Sequence, residues 1–191
     1  MNVKMLKPIF SLIIALLLSN TVKATPIQWK VADGGNDHWY EFITLGTNEF
    51  DARNNALSSI YNGEYGYLVT ILSQEEQDFI KALAGNSQAW IGASDSLNEG
   101  EWIWMDGPES GQALSFSFWA NGEPNDYRSG EDYAAMNWRT NGRWNDYGTP
   151  YSNVSIGSIV EYNNSTSVPE PSTLAIFGLA LIGLSSRRFK K

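Results

Sequence analysis

The stretch from Phe118 to Asp146, FWANGEPNDYRSGEDYAAMNWRTNGRWND, limits what this chain can fold into more than any other. Into it fall Glu123, Asn125, Asp126, Glu131, Asp132, Asn145 and Asp146, and all seven present a carboxylate or carboxamide oxygen. No histidine or cysteine lies among them, which argues against a soft-metal site. Hard oxygen donors in that number suit Ca²⁺, which takes six to eight oxygens at about 2.3–2.6 Å; Mg²⁺ keeps more water and fewer protein ligands. An ordinary acidic, Gly-rich surface loop has the same composition. The second cluster, Trp144-Asn145-Asp146, weighs against that reading, as does the wider pattern described below. Pro124 separates Glu123 from Asn125, and X-Pro is the one bond type where cis costs only about 0.5–1 kcal/mol. A cis bond at Glu123–Pro124 is predicted to turn both oxygens toward one ion.

The 191 residues suffice for one domain of ordinary size. With 42% hydrophobic residues and 13% aromatic ones, a core can form without covalent staples. The absence of cysteine excludes disulfides, thiolate metal sites and a cysteine nucleophile.

Both ends carry targeting patterns. Lys4 and Lys7, the apolar run Ile9 to Leu18, and Val22-Lys23-Ala24 predict a signal peptide over residues 1–24. A retained N-terminal anchor is the alternative, but the run falls short of the roughly 20 residues a spanning helix needs. At the other end, Val168-Pro169-Glu170-Pro171 precedes an apolar run from Leu174 to Leu184 and the bases Arg187, Arg188, Lys190 and Lys191. The basic cluster is expected to stay cytoplasmic. This order resembles the PEP-CTERM sorting signal of exopolysaccharide-producing Gram-negative bacteria, here residues 169–191. The resemblance implies processing near Pro-Glu-Pro by a membrane-embedded exosortase. A plain C-terminal anchor is the alternative. Either way the domain is expected to be exported, to the cell surface, periplasm or extracellular matrix. It would be held at the inner membrane only transiently, through the C-terminal segment.

Between residues 25 and 167 there are six bases, Lys30, Arg53, Lys81, Arg128, Arg139 and Arg143, against 20 acids, a net charge of about −14. Nucleic acid is excluded as a partner, because its phosphates would be repelled. Bound Ca²⁺ would relieve this self-repulsion. Many of the acids also serve to keep an exported protein soluble.

The body of the domain runs from helices to strands. Trp39 to Ile43 is aromatic and β-branched, a strand pattern. His38, the single histidine, sits just ahead of it as a strand-edge hydrogen-bonding group rather than a catalytic one. Ala52, Ala56 and Ile60 predict an amphipathic helix over 48–60, closed by Gly63. Tyr67 to Leu72 is a buried-strand run. Ser73 and Glu76 form a capping box for a helix that carries Phe79, Ile80 and Leu83 and ends at Gly85, with its acids serving as cap and surface. Further strands are predicted at 89–93, 101–105, 133–137, 143–146 and 155–162, with Asn141-Gly142 as a hairpin turn. Helices first and strands afterwards argue an α+β class. Residues 163–168 form a polar linker.

These residues together resemble a C-type lectin-like domain over about residues 36–162, placed in a domain spanning 25–162. The resemblance rests on Leu68-Val69-Thr70-Ile71 leading into the Ser73 helix, Trp90-Ile91-Gly92, Glu123-Pro124-Asn125, and Trp144-Asn145-Asp146 before a last strand ending in Val160-Glu161. It implies two helices, two small antiparallel sheets and a long calcium-binding loop region. It also implies a principal Ca²⁺ and sugar site at Glu123, Asn125, Glu131, Asn145 and Asp146. An accessory Ca²⁺ site would use Asp95, Glu99, Asp126 and Asp132, with Glu131 bridging both ions. The family's two usual disulfides are missing: Tyr133 and Val160 stand where cysteines are expected. Loop order would then depend more on Ca²⁺.

The resemblance further implies that two adjacent sugar hydroxyls complete the principal ion's coordination. In the family, Glu-Pro-Asn accompanies mannose- and glucose-type sugars. Tyr127 and Trp138 are candidates to stack on a sugar face. The expected ligand is exopolysaccharide or a surface glycan. A calcium-ordered adhesion or protein-binding module without sugar binding is the rival reading. Paired carboxylates leave a glycosidase as a minor one. Serine hydrolysis has neither a Gly-x-Ser-x-Gly motif nor a second histidine, and ice binding is a remote option within this fold. The chain is therefore read as no enzyme.

Overall fold

Successive side chains along the central strands point to opposite faces, and this period of two decides which helix each sheet face receives. The computed structural model describes residues 25–128, 130–148 and 154–164. The expected signal peptide, the sorting signal and residues 165–168 of the linker lie outside them. The elements in order are β1 (Ile27–Gln28), β2 (Trp39–Thr47), α1 (Glu49–Ser58), β3 (Ile60–Tyr61), β4 (Glu64–Leu68), α2 (Gln74–Ala84), β5 (Ala89–Ser94), β6 (Ile103–Trp104), β7 (Tyr133–Met136), β8 (Asn145–Tyr147) and β9 (Ile156–Tyr162).

β9 is the hub. It runs antiparallel to β2 and to β4, and parallel to β5 through Ala89–Gly157 and Trp90–Ser158. β5 continues antiparallel to β6 and β7, and β7 to β8. The two expected antiparallel groups are thus joined by one parallel pair into a mixed sheet, an α+β arrangement. Ala89, Ile91 and Ala93 face one core cluster, where Ile80 and Ala84 of α2 meet Trp104, Trp144 and Ile159. Trp90 faces the other, where Ala52 and Ala56 of α1 meet Leu68, Val160 and Tyr162. Tyr133 and Val160 are buried members of this second cluster, so apolar packing fills both positions where the family places cysteine.

Local signals hold with some corrections. Asn48 caps α1 by accepting from the Asp51 N–H at 2.8 Å, and Ser73 caps α2 by accepting from the Glu76 N–H at 3.1 Å. The first helix ends at Ser58, however. Ile60 belongs to β3 and is exposed, and Gly63 serves the β3–β4 turn at φ 89°. Strand pairing of the 67–72 run stops at Leu68. Val69 instead bonds to the carbonyl of Ile159 and accepts from Gly92. In the 101–105 run only Ile103–Trp104 is strand. β7 and β8 form the expected hairpin pair, but the connection runs through a 3-10 turn at Trp138–Thr140 rather than two residues at Asn141-Gly142.

Glu76 is the clearest departure. It is buried at 3% exposure, not a surface acid. Its carboxylate accepts from the Tyr40 hydroxyl at 2.6 Å and the Leu72 N–H at 2.8 Å. Beside it, Glu161 meets His38 Nδ1 at 2.6 Å and accepts the Thr70 N–H at 3.0 Å. His38 therefore does bond at the strand edge. Burial lowers its pKa, but the hydrogen bond and charge of Glu161 more than offset this and raise it overall.

Burial, aided by the charge of Glu161, pushes Glu76 up to about 7. Burial pushes Glu49 up to about 7 as well, with Arg53 opposing and Asp106 adding, and Glu49 Oε1 has no partner. Both groups start from an unfolded value of 4.5. The folded chain thus holds more protons than the unfolded chain between these values, and stability falls as pH rises through that window. Raising the pKa of His38 works in the same direction, since its contribution is lost as pH climbs through the folded value. Glu49→Gln is expected to flatten this slope. Urea denaturation in EDTA should show a gain on the order of 2 kcal/mol at pH 8 and little change near pH 4. An equal effect at both pH values would refute the charge argument.

Candidate calcium and ligand site

The β7–β8 hairpin sets Asn145 opposite Ala135 and Asp146 opposite Ala134, so both polar side chains leave a strand that is otherwise core. Trp144, just ahead of them, is anchored through its indole N–H to Gln77 Oε1 at 2.7 Å. Its main-chain N–H and carbonyl bond to Phe118 and Ala120, which clamps the entry of the acidic loop against the strand.

From that fixed base Asp146 organises the loop. Its Oδ2 accepts the N–H of Asn125 at 2.8 Å and of Asp126 at 2.7 Å. The Glu123–Pro124 bond is cis, as the spacing predicts. The Asn125 amide donates to Glu123, and the Asn145 amide donates to the Asp146 carbonyl. The Glu131 N–H donates to Asp126 Oδ1 at 3.2 Å, and Glu131 Oε2 accepts the Tyr127 N–H at 3.1 Å. Hydrogen bonds thus link Glu123, Asn125, Asn145 and Asp146 directly, and Glu131 joins them through Asp126.

A second group lies beside the first. Carboxylate oxygens of Asp95, Glu99 and Asp132 fall within 4.8 Å of one another. Asp95 is 2% exposed, and its Oδ2 accepts the Gly100 N–H at 2.9 Å. Asp126 and Glu131 stand outside this triplet, whereas the sequence placed both with it and had Glu131 bridging the two groups.

Electrostatics fit a cation in both places. Asp146 Oδ1 and Asp95 Oδ1 are buried with no hydrogen-bond partner, a costly condition for a carboxylate oxygen. Glu123 is held above the ordinary carboxylate range by desolvation and then by Asp146. Glu131 is raised by desolvation, then by Asp146, Glu123 and Asp126. Asp95 and Asp132 are likewise raised by desolvation first and by neighbouring acids second. Oxygen-only donors, crowded like charges and orphaned buried oxygens are conditions that a hard divalent ion would satisfy.

Sequence reasoning missed the cleft next door. A space of about 720 Å³ is lined by Trp119, Ala120, Asn121, Gly122, Glu123, Trp138, Arg139, Asn141 and Arg143. Both arginines lie in the organising stretch, where the sequence shows their charge but not that they meet in one space. Trp138 faces this cleft and Tyr127 does not; Tyr127 is 61% exposed, with the Arg128 guanidinium 5.0 Å over its ring.

The model of the Lectin C-type domain matches residues 61–156. The chain belongs to the C-type lectin domain family. Over 139 residues the lectin chain is 34% identical to halomucin of Haloquadratum walsbyi, a match that takes in 68% of this chain but only 2% of halomucin. The chain therefore spans a small part of that relative's length. Among solved structures, the C-type lectin CEL-I from Cucumaria echinata aligns with a TM-score of 0.58 at 27% identity, covering 68% of this chain and 92% of that one. The cow C-type carbohydrate-recognition domain of CD23, crystallised in the presence of a GlcNAc2Man3 oligosaccharide, aligns with a TM-score of 0.53 at 35% identity, over 65% and 86%. Members of this lectin family are in general non-enzymatic and typically bind Ca²⁺. A second model, the PEP-CTERM protein-sorting motif, matches residues 167–190. That motif implies export, with surface or extracellular localisation, and exosortase processing. Among the described residues no helix is long and apolar enough to cross a membrane.

Proposed function

We propose that this lectin domain binds mannose- or glucose-type sugars in a calcium-dependent manner at Glu123, Asn125, Glu131, Asn145 and Asp146. The observation that carries the reading is Asp146: one buried carboxylate oxygen accepts two loop N–H groups while the other has no partner. That leaves a buried carboxylate oxygen without a partner beside side chains that all offer oxygen donors. Ca²⁺, when bound there, supplies open coordination positions for two adjacent sugar hydroxyls. Glu123 and Glu131 then accept hydrogen bonds from the hydroxyls, and the amides of Asn125 and Asn145 donate to the hydroxyl oxygens. The order Glu-Pro-Asn supports mannose- and glucose-type sugars, as does the mannose-containing oligosaccharide present with the cow CD23 domain. Asp95, Glu99 and Asp132, with Asp126 nearby, would hold a second ion that orders the loops. A shallow polar site binds weakly alone, so avidity on a repeating polymer matters. The proposed ligand is exopolysaccharide or a surface glycan met after export of a domain spanning 25–162.

A glycan array on the purified protein, run with Ca²⁺ and again with EDTA, tests this. Mannose- or glucose-type binding that disappears with EDTA is the expected result. Silence in both conditions, with Ca²⁺ still raising the melting temperature, would leave a calcium-ordered adhesion module.

A further inference from the structure

The cleft beside Glu123 has a chemistry that the calcium site does not use. At about 720 Å³ it falls within the range of ligand pockets, about 300–1,000 Å³. Trp119 and Trp138 offer apolar ring surface, Asn121 and Asn141 offer amides, and Arg139 and Arg143 offer the only charges besides Glu123. Residues 25–167 hold just six bases against 20 acids, yet two of the six line this one space.

Both arginines are held in place. One Nη of Arg143 donates to the Trp119 carbonyl at 3.0 Å, and its guanidinium lies 4.5 Å over the Phe118 ring. That bond uses one of five N–H donors. Arg139 lies 5.5 Å over the Trp138 ring. The backbone that presents Arg139 is left-handed at three non-glycine residues: Asn137 (φ 67°), Arg139 (φ 53°) and Thr140 (φ 63°). Such conformations cost free energy and concentrate at ligand clamps and active sites. Among the described residues neither arginine forms a salt bridge, although Glu123 shares the cleft and feels the charge of Arg139.

We infer that this cleft is a second saccharide subsite that selects an anionic sugar, with Arg139 and Arg143 binding the carboxylate of a uronic-acid residue adjacent to the sugar held at Glu123 and Asn125. The inference rests on the sugar-binding reading above. A planar guanidinium matches a carboxylate through two parallel N–H···O bonds, which gives geometric as well as charge selection. In a domain of net charge near −14, most of the surface repels a polyanion. An acidic glycan would therefore bind only where its acid group falls in this cleft.

The test compares three probes on the full chain by calorimetry: a uronic-acid oligosaccharide, the same oligosaccharide with its carboxyls reduced to alcohols, and a sulfated derivative of the reduced form. Each is titrated with Ca²⁺ and with EDTA, at low and high salt. The acidic oligosaccharide is expected to bind about tenfold more tightly than its reduced form, with the gap narrowing as salt screens the charges. Arg139→Gln should bring the ratio of the two affinities toward one. Arg143→Lys, which keeps the charge but not the planar fork, should reduce the preference for carboxylate over sulfate. Equal, EDTA-sensitive binding of the acidic and reduced forms would overturn the subsite and leave the sugar-binding reading intact. Binding of the acidic form alone that survives EDTA would support the subsite and overturn the calcium-dependent reading. Tighter binding of the sulfated form would overturn the carboxylate assignment.

Discussion

Asparagine in place of Asp146 is expected to abolish calcium-dependent sugar binding and to erase the calcium-induced rise in melting temperature. The side chain is fully buried, ties Asn125 and Asp126 to the sheet, and leaves Oδ1 without a partner. Asn preserves the size of the group but removes its charge and turns one oxygen into an N–H donor. In the native protein, Ca²⁺ at about 1,000 times its dissociation constant would add about 4 kcal/mol. For a domain of this size that is a rise of roughly 10–15 °C. No disulfide is available to brace the loops, which makes the ion's contribution to their order correspondingly large. Scanning calorimetry with Ca²⁺ and with EDTA measures both effects. A variant that still gains its full calcium shift would remove Asp146 from the ligand set.

The second large effect is remote from the loop. Gly92→Ala should destabilise the domain by about 3 kcal/mol, through overpacking where backbone meets backbone. A Cβ on residue 92 would lie 2.5 Å from the carbonyl oxygen of Leu68 and 3.1 Å from that of Val69. Neither oxygen can move easily. The Gly92 N–H donates to Val69 at 2.9 Å, and its carbonyl accepts from Met105 at 2.8 Å. The first bond holds β5 against the chain that leads into α2, and the second holds it against the chain that leaves β6. Thermal melting should show a fall on the order of 10 °C. Gly63→Ala is the comparison: a Cβ there meets nothing within 4 Å, so its cost is the backbone strain of φ 89° alone. If the two variants melt together, close packing at residue 92 is not what demands glycine.

Much of the domain was legible in order along the chain. Ser73 sits immediately before its helix and caps it, because a short polar side chain can reach an N–H three residues on. The same role of Asn48, expected only as the first residue of a helix over 48–60, is seen in the structure. Loss of the helical period after Gly85 and the short runs at 89–93 and 155–162 named the strands that became β5 and β9. Glu123, Asn125, Asn145 and Asp146 could be singled out because they stand in the motifs Glu-Pro-Asn and Trp-Asn-Asp, whose order resembles the lectin family; composition alone would suit an ordinary acidic loop. Misreadings arose where a neighbour in sequence was not a neighbour in space. Ile60 continued the Ala52–Ala56 spacing, yet pairing with Tyr65 drew it into β3. Glu76 looked like the outer half of a capping box, yet the Tyr40 hydroxyl drew it into the interior.

The sequence by itself therefore determined the donor chemistry of the loop, the Ser73 cap, the two helices and the α+β class. Each depends on residue type and on spacings of a few positions, where geometry follows directly from the covalent chain. Tertiary structure alone decided the rest. It joined two antiparallel groups through Ala89–Gly157 and Trp90–Ser158, about 70 residues apart in the chain. It brought Asp95 and Glu99 to Asp132 while keeping Glu131 outside their triplet. It also set Arg139 and Arg143 into the cleft beside Glu123. These are contacts between distant segments, and no local pattern encodes the distance at which two such segments come to rest.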